Sequence, residues 1–367
     1  MQEQPPDTDT LLDATTALLP PLLNALEALA HAARRVHPPD LAALVAGMRG
    51  FREPLAKGLR QFETVAWPKH LTLFQTRSRQ SAAHALEALE RLDHCLERAN
   101  PVLGAYGAMG SATRAVEALY PVAFMLPPVN RFFLCEGQRQ DEALQNALLS
   151  AEATRDGVGV MHAGNGAGER GGFSLYVPEY HDPAVPAPLV VALHGGSGHG
   201  RSFLWTWLRE ARSRGVILLS PTSRQDTWSL MGPDVDTANL LAMVEHVKSL
   251  WVIDERRVLL TGMSDGGTFA YVSGLQEGSP FTHLAPVSAS FHPMLVEFTS
   301  AERLRGLPVY LVHGALDWMF PVDIARLARD SLTAAGADVV YRELNDLSHT
   351  YPREENVRIL DWLTSPL

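Results

Sequence analysis

The hydrophobic pattern of the first part of the chain, up to about residue 154, is typical of helices. Apolar residues recur every three or four positions, as in Ala83, Leu86, Leu89, Leu92 and Leu96, so that they share one helix face. Because proline interrupts helices, we predict several helices of bundle length in an all-α domain over residues 1–154. The predicted breaks are at Pro20-Pro21, Pro38-Pro39, Pro54, Pro68, Pro101 and Pro127-Pro128.

From residue 155 to residue 367 the pattern changes to short β-branched runs separated by Gly/Pro turns and helical stretches. This alternation is typical of a mostly parallel, doubly wound α/β sheet with crossover helices. The predicted strands are 159–163, 173–177, 189–193, 216–219, 258–261, 284–287, 309–312 and 339–342. The predicted helices lie near 201–213, 236–251, 265–275, 322–335 and 353–364. The glycine-rich stretch 164–172 is predicted to be a hairpin loop between the first two strands.

The segment GMSDGG, residues 262–267, lies between a predicted strand and a predicted helix. A serine in such a turn, with small residues two before and two after it, fits the nucleophile elbow. The helix that begins at Asp265 directs its free N–H groups and its positive dipole end towards Ser264. We therefore predict Ser264 as a catalytic nucleophile.

A serine hydroxyl needs a general base and a carboxylate that orients the base, in the chain order Ser, Asp, His. Asp317 lies in LVHGALDWMFP, directly after a predicted strand. His349 lies in LNDLSHTYP, after the next predicted strand and before the last helix. We predict Asp317 as the acid and His349 as the base of a catalytic triad.

Other residues compete for these two roles. The competing acids are Asp234, Asp236 and Asp346, and the competing bases are His194, His292 and His313. None of these acids holds the position that the motif assigns, one strand before the histidine loop. His194 and His313 each precede a glycine at a predicted strand end, which favours a structural hydrogen bond.

The segment HGGSGHG, residues 194–200, follows the apolar strand LVVAL. Acyl transfer develops negative charge on the carbonyl oxygen, and fixed N–H donors stabilise it by roughly 3 kcal/mol each. We predict an oxyanion hole formed by the N–H groups of Gly196 and Asp265, with Ser197 as an alternative to Gly196. A phosphate-binding loop is disfavoured, because no lysine follows and the spacing fits neither nucleotide motif.

These motifs, in this order, resemble the α/β-hydrolase superfamily. Within it they are similar to the predicted-esterase branch with carboxylesterase/phospholipase-like and polyhydroxybutyrate-depolymerase-like proteins. The resemblance runs from about 156 to 365 and rests on LVVALHGGSGHG, RVLLTGMSDGGTFAY, PVYLVHGALDWMFPV and LSHTYP. It implies a serine esterase that hydrolyses small-molecule carboxylic esters without a cofactor. Asp265 stands where thioesterase-like members often carry Gln.

The substrate contacts and the exact reaction are open at this stage. Trp228 and Trp318 are predicted to line the substrate pocket, with Phe320 as a further candidate, because such pockets are mostly apolar. The same triad serves peptidases and acyltransferases. A hydrolase-like domain without activity, which only binds a ligand or partner, is an alternative of another class.

Composition narrows the partners. A net charge of -10 disfavours nucleic acid as a partner, and the two cysteines, Cys95 and Cys135, form no metal-binding pattern. The polar start MQEQPPDTDT lacks the features of a signal peptide, and no apolar run approaches the ~20 residues of a membrane span. We therefore expect a cytoplasmic, metal-free enzyme whose helical domain acts as a lid, joins subunits into a homo-oligomer, or both.

Overall fold

The computed structural model describes residues 8–152 and 154–365. The chain divides into two compact units, a helical unit that ends at Leu134 and a sheet unit that begins at Cys135. The change in sequence pattern near residue 154 comes later than this division. Residues 1–7, which carry most of the polar start noted above, lie outside the described residues.

The helical unit consists of α-helices joined by short 3-10 turns. Its helices are α1 (Thr8–Arg34), α2 (Leu41–Met48), α3 (Arg52–Glu63), α4 (Thr72–Asp93), α5 (Pro101–Leu119) and α6 (Pro127–Phe132). Helix α4 packs along α5, and α1 packs along α3. Residues 8–134 contain no strand, as the helical periodicity predicted.

The predicted break at Pro20-Pro21 is wrong, because α1 continues through both prolines. Leu18, Leu22 and Leu26 are almost completely buried on one face of this helix. Burying a leucine side chain contributes about 1.5–3 kcal/mol, and a proline in a helix interior costs about 3 kcal/mol. Several buried leucines together therefore outweigh the local penalty, which the spacing of prolines alone does not show.

The other predicted breaks agree with element boundaries, except the break at Pro54. Pro101 and Pro127 are the first residues of α5 and α6, where a missing N–H costs little. Pro38 begins a 3-10 turn, and Pro68 directly precedes another. Pro54 lies within the first turn of α3, where proline is tolerated for the same reason.

The sheet unit contains eight strands and the remaining helices. The strands are β1 (Gly159–Ala163), β2 (Phe173–Val177), β3 (Ala187–Leu193), β4 (Ile217–Pro221), β5 (Ile253–Met263), β6 (His283–Val287), β7 (Pro308–Gly314) and β8 (Asp338–Leu344). The helices are α7 (Glu142–Ser150), α8 (Gly200–Arg214), α9 (Thr237–Leu250), α10 (Asp265–Gly274), α11 (Met294–Glu297), α12 (Ala301–Leu304), α13 (Val322–Ala334) and α14 (Glu354–Thr364).

All strands form one sheet in the order β1-β2-β4-β3-β5-β6-β7-β8. The β1–β2 and β2–β4 pairs are antiparallel, and all other pairs are parallel. This is the mostly parallel, eight-stranded sheet of the α/β-hydrolase fold, and the predicted fold class is confirmed. The predicted strands and long helices match the observed ones within two residues at each end, except that β5 begins five residues earlier than predicted. The short helices α11 and α12 were not predicted.

The topology places the chemical motifs at one edge. The parallel strands β3, β5 and β7 end at Leu193, Met263 and Gly314, so the loops that follow them emerge at the carboxyl edge of the sheet, where α/β proteins bind ligands. None of the helices formed by the described residues combines the length and apolar character needed to cross a membrane.

Candidate active site

Ser264 occupies a strained turn between β5 and α10. Its backbone angles are φ 56° and ψ −119°, a conformation that is costly for a residue with a side chain. The Ser264 N–H donates to the carbonyl of Val287 on β6 at 2.9 Å, and the Ser264 carbonyl accepts from Thr268 N–H at 2.8 Å. The surrounding strand and helix thus hold the turn that presents the hydroxyl at the sheet edge.

The glycines around Ser264 are required by close backbone approach. A Cβ on Gly262 would lie 2.5 Å from the Gly266 carbonyl carbon, and a Cβ on Gly266 would lie 2.5 Å from the carbonyl oxygens of Leu193 and His194. Side chains at these positions would push α10 away from β3 and β5. The packing therefore explains the small residues of the motif.

Ser264, His349 and Asp317 form a continuous hydrogen-bonded chain. His349 Nε2 lies 3.0 Å from Ser264 Oγ, and His349 Nδ1 lies 2.9 Å from Asp317 Oδ2. All three residues are buried, with at most 8% of their surface exposed. The three residues that the sequence selected as nucleophile, base and acid are thus brought together.

The loop after β7 holds the Asp317 carboxylate in a fixed orientation. Its Oδ1 accepts hydrogen bonds from the N–H groups of Met319 at 2.9 Å and Phe320 at 2.8 Å. Burial by itself would raise the pKa of Asp317, but the hydrogen bonds from His349 and the Phe320 N–H outweigh burial, and the net pKa is lowered. Asp317 therefore keeps the negative charge that an imidazolium partner requires.

The competing carboxylates are engaged elsewhere or exposed. Asp236 accepts from Arg224 N–H at 2.8 Å and from Ser229 N–H at 2.9 Å, which stabilises the loop between β4 and α9. Asp234 caps α9 by accepting from Thr237 N–H at 2.9 Å. Asp346 is exposed. The Asp317 carboxylate, in contrast, contacts the imidazole of His349.

Among the competing histidines, His194 has a structural role. Its Nδ1 lies 2.7 Å from the Gly195 carbonyl, and its Nε2 accepts from Ser223 N–H at 3.1 Å. Burial lowers the pKa of His194 to about 3, so the ring is neutral at physiological pH. Its two nitrogens stabilise the glycine loop, residues 194–200 after β3, and the loop after β4.

The other two histidines also lie outside the triad. His313 Nε2 bonds to the Phe320 carbonyl at 2.8 Å and lies 3.6 Å from Asp317 Oδ2. Burial lowers the pKa of His313, so this ring supports the loop after β7, which carries Asp317, as a neutral partner. His292 is exposed, and its Nδ1 accepts from Met294 N–H at 3.2 Å.

The backbone of the glycine loop distinguishes between the two suggested oxyanion donors. Ser197 has φ 55°, and its N–H donates to the Asp226 carbonyl at 2.9 Å. In the described part of the chain, the N–H groups of Gly196 and Asp265 donate to no other residue. Gly196 and Asp265 thus retain free donors, whereas the Ser197 N–H is occupied.

Arg170, on the loop between β1 and β2, stabilises the glycine loop, and no sequence motif pointed to it. Its Nη1 donates to the Gly198 carbonyl at 2.7 Å, and its Nε donates to the Ser223 carbonyl at 3.1 Å. Its Nη2 contacts Ser223 Oγ and the Gln225 carbonyl. One side chain thus connects the glycine loop to the loop after β4.

The two tryptophans predicted as substrate contacts occupy different environments. Trp228 is only 3% exposed, donates from Nε1 to the His194 carbonyl at 2.7 Å, and stacks on Phe269. Its contacts support the base of the glycine loop. Trp318 is 44% exposed, and its ring centroid lies 6.5 Å from that of His349, at the rim of the site.

Part of the chain is similar to known proteins. Residues 235–365 match the family described as Phospholipase/Carboxylesterase. A bifunctional acetylxylan esterase/xylanase of Neocallimastix patriciarum is 29% identical over 150 residues, which are 40% of this chain and 22% of that protein. A probable feruloyl esterase C of Aspergillus terreus is 28% identical over 191 residues, which are 49% of this chain and 68% of that protein.

The chain thus spans about a fifth of the first relative and two thirds of the second. The solved structure of a thermostable esterase superposes with a TM-score of 0.44 at 22% identity, covering 56% of this chain and 61% of that one. The resemblance inferred from the motifs is confirmed: residues 235–365 match the phospholipase/carboxylesterase family, and they lie within a domain of the α/β-hydrolase fold.

Proposed function

We propose that this protein is a serine esterase that hydrolyses small-molecule carboxylic esters through an acyl-enzyme on Ser264. The observation that carries the proposal is the hydrogen-bonded chain from Ser264 through His349 to Asp317, with its nucleophile on a strained elbow. The triad is recognised by this geometry and not by sequence position. The relatives named as feruloyl and acetylxylan esterases support an ester substrate.

In the first step, Ser264 Oγ attacks the ester carbonyl carbon while His349 Nε2 takes its proton. The tetrahedral intermediate then expels the alcohol, which receives that proton from the imidazole. Asp317 stabilises the transient imidazolium and holds His349 Nδ1 in its protonated form. In the second step, a water molecule gives its proton to His349 and attacks the acyl-enzyme, which releases the acid and restores Ser264. No cofactor takes part.

The negative charge that develops on the carbonyl oxygen requires fixed donors. The N–H groups of Gly196 and Asp265 are the oxyanion hole of this proposal, and their support is that neither has an acceptor within the described residues. The positive end of α10 adds to the same stabilisation. Donors of this kind contribute about 3 kcal/mol each to the transition state.

A fluorophosphonate probe tests whether the protein is an active serine hydrolase or only a binding module. We expect the full chain to be labelled stoichiometrically, because the probe reacts with a serine activated by a base. Ser264→Ala is the matched control and should take up no label. Equal labelling of both proteins would contradict the proposal. Comparing ester and amide forms of one acyl group separates an esterase from a peptidase.

Arg170→Met should lower kcat about tenfold and leave KM nearly unchanged. The substitution keeps a similar side-chain length but removes every donor to the glycine loop, so the Gly196 N–H loses its fixed position. The kcat of Arg170→Lys should fall between those of Arg170→Met and the unchanged protein, since one ammonium cannot reproduce the guanidinium fork. Adding millimolar ethylguanidinium to an Arg170→Ala variant should partly restore kcat. A lowered melting temperature with unchanged kcat in Arg170→Met would contradict this positioning role.

We also propose that the enzyme is cytoplasmic and acts on small molecules. Cys95 and Cys135 are both buried and free, which suits the reducing cytoplasm. The net charge of -10 supports small-molecule substrates over nucleic acid.

For the helical unit we propose a role as a lid, as an oligomerisation domain, or both. Its stretches 18–29 and 115–126 are more apolar than one solvated face requires. A chain that begins at Cys135 is therefore expected to aggregate or to change its preference across p-nitrophenyl esters of increasing chain length. Sedimentation of the full chain reports whether subunits associate. A monomeric, soluble truncation with unchanged kinetics would exclude both roles.

A further inference from the structure

The carboxylate of Asp265 is a polar group that the proposed mechanism leaves unused, since the mechanism requires only the N–H of this residue. Its Oδ2 accepts a hydrogen bond from Thr227 Oγ1 at 2.5 Å. A Cβ built on Gly196 would lie 2.7 Å from the same Oδ2. The carboxylate therefore lies against the glycine loop, directly beside the second proposed oxyanion donor.

Asp265 has no charged partner among the described residues. It is half-buried, it forms no salt bridge, and its Oδ1 accepts no hydrogen bond within the described part of the chain. His194, at the start of the glycine loop, is neutral, since burial lowers its pKa to about 3. The second carboxylate oxygen is thus an unused acceptor on a side chain that lies against the glycine loop.

Such a group opposes the chemistry unless it has another task. A carboxylate beside a developing oxyanion repels it, and this repulsion is strong where water is partly excluded. The same carboxylate also competes with the oxyanion for the positive end of α10. Substrate recognition would offset this cost, because a hydrogen bond to a charged acceptor is about twice as strong as a neutral one.

We infer that Asp265 Oδ1 accepts a hydrogen bond from a hydroxyl group that the substrate carries close to its scissile ester bond. The contact with Thr227 shows that a hydroxyl is a suitable donor for this carboxylate. A carbonyl bound to the Gly196 N–H has its oxygen about 3 Å from that nitrogen, so a hydroxyl two or three bonds from the ester reaches the neighbouring carboxylate. This inference rests on the proposed esterase function and narrows its substrates to hydroxylated esters.

Two matched pairs of alkyl esters test the inference. Since these esters carry no coloured leaving group, a coupled assay measures the acid that is released. One pair is the 2-hydroxyethyl and 2-methoxyethyl esters of butyric acid, and the other is the ethyl esters of glycolic and methoxyacetic acid. Within each pair the electron-withdrawing effect is similar, and the methoxy member lacks the donor and is larger by one methyl group, an effect of size that the Asp265 variants below separate from the hydrogen bond. We expect the full-length protein to favour the hydroxyl member of at least one pair about tenfold in kcat/KM, the worth of one hydrogen bond to a charged group.

Asp265→Ala should reduce that preference to about one, and Asp265→Asn should retain part of it through the amide oxygen. Asp265→Asn should also hydrolyse the methoxy members about threefold faster than the unchanged protein, because the repelling charge is gone. Asp330→Asn, at an exposed position on α13, removes the same charge from a side chain that pairs with Arg329 and serves as the control. It should change neither the preference nor the rate.

The inference is overturned if neither pair shows a preference, or if the preference survives in Asp265→Ala. A choline ester that is hydrolysed faster than both hydroxyl members, with strong dependence on salt, would assign the carboxylate to a cation and also overturn it. Failure of the esterase proposal looks different, since hydrolysis would then be absent or would persist in Ser264→Ala. Serine-dependent hydrolysis without a hydroxyl preference leaves the esterase proposal intact.

Discussion

Replacing Ser264 by alanine is expected to lower kcat for ester hydrolysis by roughly 10⁴-fold or more, because the acyl-enzyme can no longer form. His349→Ala should have nearly the same effect, since without its Nε2, which lies 3.0 Å from Ser264 Oγ, the hydroxyl keeps its proton. The double variant should be no worse than either single one, because members of a triad act as a unit. Activity on p-nitrophenyl butyrate measures all three.

Thermal unfolding of the same variants serves as the control. The strain at Ser264, with its φ of 56°, is a feature of the backbone that alanine retains, so the melting temperature should remain nearly unchanged. A loss of activity that accompanies unfolding would say nothing about chemistry. Retention of more than a few per cent of activity by folded Ser264→Ala would refute its assignment as the nucleophile.

Asp317→Asn is expected to lower kcat by roughly 10⁴-fold, the loss seen when the orienting acid of a triad is changed to an amide. The structure gives the reason. Oδ1 of Asp317 accepts from the N–H groups of Met319 and Phe320, so an asparagine must place its oxygen there and turn its NH₂ group towards His349. The imidazole then accepts at Nδ1 and carries its proton on Nε2, where a base is needed.

Asp346→Asn is the matched control, because it changes a carboxylate three residues from His349 that is exposed to solvent. Its kcat should fall by less than about threefold, as expected for a surface substitution away from the site. If Asp346→Asn proves more damaging than Asp317→Asn, the acid has been assigned to the wrong residue. Measuring both at several pH values separates a changed proton affinity from a changed geometry.

Much of the fold was predictable from local sequence because its strands are buried on both faces. The runs around Val190, Leu260 and Val309 are almost continuously apolar, and all three side chains are buried. The glycines at 262 and 266 indicated the elbow, since backbone contacts below 3 Å exclude any side chain there. The chain order of serine, aspartate and histidine then indicated which loops would carry the acid and the base.

Other features depend on contacts between residues far apart in the chain. Local propensity placed a helix break at Pro20-Pro21, but α1 is continuous, because burial of its leucines outweighs the prolines. Trp228 follows a strand and is aromatic, which suggested a pocket wall. Its position beneath the glycine loop is set by a bond to the His194 carbonyl, and no periodicity encodes that contact.

The sequence by itself determined the sheet, the elbow and the identity of the three residues that meet there, because hydrophobic period and glycine spacing are local properties. Only the tertiary structure decided which N–H groups remain free for an oxyanion. The Ser197 N–H is occupied by a hydrogen bond to the Asp226 carbonyl. Arg170 connects the glycine loop to the loop after β4, and the Asp265 carboxylate lies against Gly196. Hydrogen bonds between separate loops depend on how the strands are ordered in space, which the spacing of residues along one chain does not specify.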